Sequence, residues 1–358
     1  MPSFRVGVVT EVLETRPDLQ RVLVDLGSEP ERAYVLTQLI GPVAVGDRVV
    51  VNTTAVDLGL GTGGWHVVHW NLAREAWAGA AAEASRGSVM SPGSGMKLRY
   101  TSLQIEVENS EPVESAPVGG MPVVAAGLHS QLAAIAVAFK HARPRSRLVY
   151  VMTDGGALPI AISDLVWQLR ARRLIDATVT CGHAFGGDFE AVSVHGALAV
   201  ARHVAGADAA VVAMGPGSAG TASRLGFSGI EVGPVLDAAT ALRGRPIAAL
   251  RVSFADARPR HRGVSHHSVT VLSEATHTRV RVPVPCVGGE EEQQIRRDLM
   301  AAGVDIRHEI VDLAPVGVVG LIAAHDLHVE SMGRPASVDP VLFEAAAVAG
   351  VLAARDVP

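Results

Sequence analysis

From residue 121 onward, short apolar runs alternate with longer segments of helical period, and nothing else constrains the fold of this chain as strongly. "PVVAAG" is followed by "SQLAAIAVAFKHA", "RLVYVMT" by "ALPIAISDLVWQLRARR", and "ATVTCG" by "FEAVSVHGALAVARHVA". "AAVVAM" is followed by a glycine-broken helical stretch and then by "PIAALRVSF". Strands alternating with helices of about 10–17 residues are the pattern of βαβ units and a parallel sheet. Right-handed crossovers then bring the C-terminal ends of all these strands to one edge. The segment 284–358 is read as an extension of the same sheet: helix 289–302, strand 306–312, a short apolar helix, a strand in "LHVESM" and a final helix 339–355. Pro159 fits the first turn of the helix it precedes, where a missing N–H costs nothing.

Residues 1–75 have a different rhythm. "FRVGVVTEVLE", "QRVLVDL", "RAYVLTQL", "DRVVVNTT" and "WHVVHWNL" read as five short strands separated by turn residues, the pattern of a small β-barrel. Residues 76–120 read as a linker, with an Ala-, Gly- and Ser-rich mobile connection at 78–95 and one added strand in "MKLRYTSLQIEVENSEP". The expected architecture is a small N-terminal β-barrel followed by a mostly parallel sheet with helices on both faces, a three-layer α/β domain over 121–358.

Composition removes several functions. A net charge of −5, with four tryptophans, three tyrosines and seven phenylalanines in 358 residues, argues against a nucleic-acid surface. No basic segment followed by an apolar core opens the chain, and no uncharged apolar run approaches the ~18–20 residues that span a bilayer. A cytoplasmic protein without membrane partner is expected, and a homo-oligomer is compatible with it. Cys181 and Cys286 alone do not make a disulfide framework. Only two lysines, Lys97 and Lys140, stand beside 29 arginines. There is no P-loop lysine, and neither lysine is placed for Schiff-base chemistry, which argues against pyridoxal phosphate.

The chemistry is expected where the strands end. After successive strands come His129, then Asp154-Gly155-Gly156, then His183 with Gly187 and Asp188, then Gly215 to Thr221, then "RPRHRGVSHHS". Open α/β sheets bind ligands at that edge. Gly215, Gly217 and Gly220 spell G-x-G-x-x-G, but the stretch after Thr221 is interrupted by Gly226 and Gly229, and Pro216 lacks an N–H. These features argue against a nicotinamide cofactor. The loop and the helix start after it are read either as a cradle for a phosphate or carboxylate or as a tight turn. Asp154 is read as a metal ligand, a base or an N-cap, and Asp188 carries the same alternatives. In "HRGVSHHS", His261, His266 and His267 suit a ligand or catalyst, with Arg262 to hold an anion. His266 and His267, taken as extended, would point to opposite faces. The candidate catalytic set is Asp154, His183, His266 and His267. One divalent metal on Asp154, His261 and His266 is a further expectation. Cys181 is read as a nucleophile or a small buried apolar residue.

"LGTGG", "MKLRYTSLQ", "TDGGALP", "GGDFEAV", "GPGSAGTASRLGFSGIEVG" and "HRGVSHHS" together resemble a bacterial family classed as a domain of unknown function, number 3866. The resemblance covers most of the chain and implies one unit with the barrel included, without assigning any residue a role. The residues point to an enzyme acting on a small anionic or phosphorylated metabolite by hydrolysis or group transfer. The alternatives are a non-catalytic metabolite-binding or regulatory protein whose barrel docks a partner, and a barrel that docks RNA or protein.

Overall fold

The computed structural model describes residues 1–73, 93–112, 114, 117–221 and 223–357. It divides into two compact units, Met1–Val107 and Glu108–Pro358.

In the first unit, β1 (Phe4–Arg16), β2 (Leu19–Asp25), β3 (Glu31–Leu36), β4 (Arg48–Asn52) and β5 (His66–Asn71) close a barrel in the order β1-β2-β3-β5-β4. Alternating residues fill it, Val9, Val22, Val24, Ala33, Val35, Val49, Val51 and Val68 among them. Register shifts between Val9 and Glu11 and between Val12 and Glu14 bend the long β1 so that it pairs with β2 and β4. The linker holds two strands where one is expected, β6 (Ser94–Lys97) and β7 (Ile105–Glu108), paired only with each other. The connection at 78–95 falls almost wholly outside the described residues.

The second unit is built on an eight-stranded, all-parallel sheet. Its strands are β8 (Pro122–Ala126), β9 (Leu148–Thr153), β10 (Ala177–Thr180), β11 (Phe189–Glu190), β12 (Ala209–Met214), β13 (Arg245–Ala249), β16 (Arg281–Pro285) and β17 (Glu309–Leu313). Their order is β11-β10-β9-β12-β8-β13-β16-β17. Helices Gln131–Ala142, Asp164–Ala171, Val318–Ala324 and Pro340–Asp356 cover one face. Helices Val194–His203, Val232–Ala241 and Gly289–Ala301 cover the other. Both faces are thus buried, which is why the central strands are continuous apolar runs without alternation. Among the described residues no helix is long and apolar enough to cross a membrane.

Several expected elements are corrected. The helix expected over 157–173 is α-helical only at Asp164–Ala171. Pro159 does not open it, because Leu158 to Ile160 run beside Phe185, exchanging backbone bonds at 3.0 Å. Ser163 is the N-cap, accepting from the Val166 N–H. The run 246–254 splits into β13 and β14 (Val252–Ser253), which turns back as a hairpin with β15 (Gly263–Val264). "LHVESM" contributes only β18 (Glu330–Ser331), paired with β19 (Arg334–Pro335) outside the main sheet. A strand in "RVPVP" goes unexpected because two prolines argue against an inner strand. Cys286 N–H bonds to Leu313 of β17, so Pro283 and Pro285 face β13, where pairing stops at Ile247–Arg281.

Helices Gln131–Ala142 and Pro340–Asp356 pack so closely that a Cβ on Gly350 would lie 2.3 Å from the Ile135 carbonyl oxygen. Gly350→Ala gains up to about 1 kcal/mol of helix propensity but forces two backbones apart. We expect a net loss of about 2 kcal/mol and a fall in Tm of roughly 4–8 °C, read by thermal denaturation. An unchanged Tm would contradict this close approach.

Candidate functional site

The crossover from β8 runs over one face of the sheet, whereas those leaving β12 and β13 run over the other. Neighbouring strands whose connections part in this way open a crevice at their C-terminal ends. Two clusters of polar side chains stand there.

The first is built on β9. Thr153, its last residue, donates from Oγ1 to Glu231 Oε1 at 2.5 Å. The next residue, Asp154, accepts the His183 N–H at 2.9 Å through Oδ2. Glycines permit these approaches: a Cβ at Gly155 would lie 2.6 Å from Glu231 Oε2, and one at Gly182 would lie 2.3 Å from Asp154 Oδ2. Burial raises the Glu231 carboxyl to about 7; the Asp154 charge adds to the shift and the Thr153 hydrogen bond opposes it. Burial, together with the Glu231 charge, also pushes the Tyr150 phenol up. His129 stands behind this pair. Its Nδ1 lies 3.1 Å from the Met214 carbonyl and its Nε2 2.7 Å from Ser163 Oγ. Donation to the carbonyl puts the proton on Nδ1. Burial pulls His129 down to about 4, so the ring is neutral with both nitrogens engaged. It holds loops together and has no free nitrogen for the ligand contact expected of it.

The glycine loop is tightly interlocked with its neighbour. A Cβ at Gly156 would lie 2.3 Å from the Gly215 oxygen, one at Gly215 would lie 2.4 Å from the Ala157 oxygen, and Ala157 N–H bonds to Pro216 at 2.8 Å. These glycines let two loops interlock. Gly217, at φ +87°, makes a left-handed turn. No helix starts at Thr221. Gly220 bridges to Phe227, and Thr221 Oγ1 donates to the Gly226 carbonyl, so the segment closes as a loop and the helix waits until Val232. Asp188 is held by Arg170 and by Thr178, whose N–H it accepts at 2.8 Å, and Gly187 N–H donates to Thr180 Oγ1. Both residues fasten β10 to the following turn. Cys181 is buried.

The second cluster follows β13. Ser265 caps a helix over His266–Thr270, so His266 and His267 are helical and not extended. Consecutive helical positions lie about 100° apart, which lets both rings border one space. His261 comes from a single 3-10 turn, Pro259–His261, and its ring lies 4.9 Å from each of the other two; His266 and His267 are 4.3 Å apart, centroid to centroid. Phe227 stacks on His267 at 3.9 Å. Arg251, only 4% exposed, reaches His267 Nδ1 with Nη1 at 3.3 Å and Asp256 Oδ2 with Nη2 at 3.5 Å. Asp256 is also gripped by Arg258 and Arg334, which hold its carboxyl far below the usual range. Burial pulls His261 and His267 down to about 3, with help from Arg251, and His266 is lowered for the same reasons. Arg260 and Arg262 line an open groove of about 680 Å³ with Arg224 and His266. Gly229, Val232, Arg251 and His267 share a small cavity, so the two clusters flank the segment Phe227–Val232.

Ring nitrogens of His261, His266 and His267 lie within 4.8 Å of one another, whereas Asp154 does not join them. The expected metal set of Asp154, His261 and His266 is therefore not assembled. The donor chemistry also disfavours a cation at the three histidines. A metal-ligating imidazole gives its second N–H to an acceptor, but His267 Nδ1 faces the Arg251 guanidinium, which has only hydrogens to offer.

Sequence reasoning missed Glu231 and Arg251. A charge inside the apolar run "PIAALRVSF" marks Arg251, and the acid beginning the helix after the glycine loop marks Glu231. The chain belongs to the family described as a protein of unknown function (DUF3866), whose model matches residues 32–350. No curated protein matches it.

Proposed function

We propose that this chain is an enzyme of small-molecule metabolism acting on an anionic or phosphorylated metabolite by hydrolysis or group transfer, at the C-terminal edge of its parallel strands. One observation carries the reading: Glu231 is a carboxyl held near 7 in a glycine-lined crevice. A group that gains and loses its proton near neutrality is suited to general acid–base work. Thr153 fixes its orientation, and Asp154 helps to set its proton affinity. The arginine-lined groove beyond Phe227 supports an anionic substrate.

The test is phosphate release from a panel of phosphate monoesters and diphosphates, followed from pH 5 to 9. Turnover should show a limb near pH 7. Asp154→Asn removes a neighbouring negative charge, and should move that limb down by on the order of one pH unit. A limb that stays in place would break the assignment to Glu231. Saturable binding of these compounds without turnover at any pH would leave a metabolite-binding protein instead.

A further inference from the structure

We infer that His261, His266 and His267, with Arg251 behind them and Arg260 and Arg262 at the mouth, form a binding site for a phosphoryl dianion. This inference rests on the anionic-substrate reading and gives that substrate a chemical handle and a location.

Charge comes first. Arg251, Arg258 and Arg334 share Asp256, and Arg334 alone also bonds Asp339. Three guanidiniums thus meet two carboxylates. Arg260 and Arg262, both exposed, form no ion pair among the described residues. The groove itself sets Arg224, Arg260 and Arg262 against Glu274, which pairs with Arg224, and Asp298, so one positive charge is left over for a phosphorylated small molecule that enters it. Desolvation is the second strand. Arg251 Nε and Nη2 are buried without a hydrogen-bond acceptor, the Asp256 contact being an ion pair only. Buried N–H groups left unmade are costly, and an oxyanion supplies the missing acceptors. His266 Nε2 is likewise buried without a partner.

The imidazoles complete the site as donors. His267 Nδ1 takes a hydrogen from Arg251, which leaves the ring proton on Nε2. A neutral imidazole donates to an anion without adding to the crowd of positive charges. A divalent cation at the same place would add two charges beside Arg251 and Arg260, and Asp298 on the groove wall already accepts from the Val264 N–H and the Gln294 amide. Phe227, stacked flat on His267, fixes the ring plane and shields one side from water.

The experiment is calorimetric titration of the full chain with inorganic phosphate, with chloride at matched ionic strength as the reference anion. Saturable binding at one site is expected. Arg260→Gln and Arg262→Gln, being on exposed side chains, should fold normally and weaken phosphate binding about tenfold each. Arg251→Met should abolish it; if that variant does not fold, the Arg260→Gln, Arg262→Gln double variant decides, with a loss of about a hundredfold. Equilibrium dialysis against zinc should give well under one equivalent. Stoichiometric zinc that disappears in His266→Ala would overturn the proposal, as would phosphate heats that match chloride or ignore Arg260→Gln. Glu231→Gln should still bind phosphate, so a failed acid–base assignment and a failed anion site give different results.

Discussion

Glu231→Gln should lose turnover by a factor of about 10²–10⁴ and, at pH 8, be more stable than the native protein. The two effects share one cause. In the unfolded chain the carboxyl ionises around 4.5, whereas in the folded protein it holds its proton up to about 7. A carboxyl raised on folding stabilises fully below 4.5, and that contribution is lost as the pH climbs to 7. Above 7 the protein carries an ionised group at a site that disfavours charge. Glutamine removes the charge and keeps an oxygen for the Thr153 hydroxyl. Because Glu231 retains some contact with solvent, the gain is discounted to about 1–2 kcal/mol, or roughly 2–8 °C in Tm at pH 8. At pH 5 the difference should nearly vanish. A carboxylate with a purely structural role would give the opposite result, a variant less stable at every pH.

The barrel strands, the central parallel strands and the edge that carries the polar residues follow directly from apolar period and turn residues. These signals are local and strong: the apolar run in "RLVYVMT" reads as a doubly covered strand and forms β9. What was illegible depends on partners distant in sequence. Pro283 and Pro285 read as breakers, and only the short ladder to β13 shows why they are tolerated. His266 and His267 of "HRGVSHHS" are read as extended, yet one serine cap turns them into a helix and brings both rings to His261. Glu231 and Asp154 are 77 positions apart in the chain, and their meeting needs glycines at 155 and 182 whose closeness only the fold reveals. Asp154 alone drew attention, because it ends a strand. Arg251 stands out as a charge in an apolar run, but its role depends on the chain leaving the sheet after Ala249, which no local signal marks.

The second large effect is loss of stability in weak acid, and its source is the imidazoles. His129 is held down at about 4, and His261 and His267 at about 3, against an ordinary value of 6.5 in the unfolded chain. The sign is opposite to that of Glu231. A histidine lowered on folding contributes stability that is complete above 6.5 and is lost as the pH falls towards its folded value. Around His261 and His267 stand Arg251, Arg258 and Arg260, and the Asp256 carboxylate opposes their effect on His261 only in part. A fully buried ring loses about 1.4 kcal/mol per pH unit. Part-exposure of His129 and His267 lowers the sum for the three to about 2–3 kcal/mol per unit. Glu231 returns about 1.4 kcal/mol per unit over the same range, so the net loss is about 0.6–1.6 kcal/mol per pH unit. Between pH 6.5 and 5 the Tm should therefore fall by roughly 2–10 °C. Scanning calorimetry across that window checks it, and a flat Tm would mean that the folded rings accept protons. Phosphate gives the measurement a second use. A dianion seated among His261, His266 and His267 would favour their protonated forms, so the fall should be shallower in phosphate than in chloride at equal ionic strength. The Arg260→Gln, Arg262→Gln double variant should lose that protection while keeping the acid-sensitive slope of the unliganded protein.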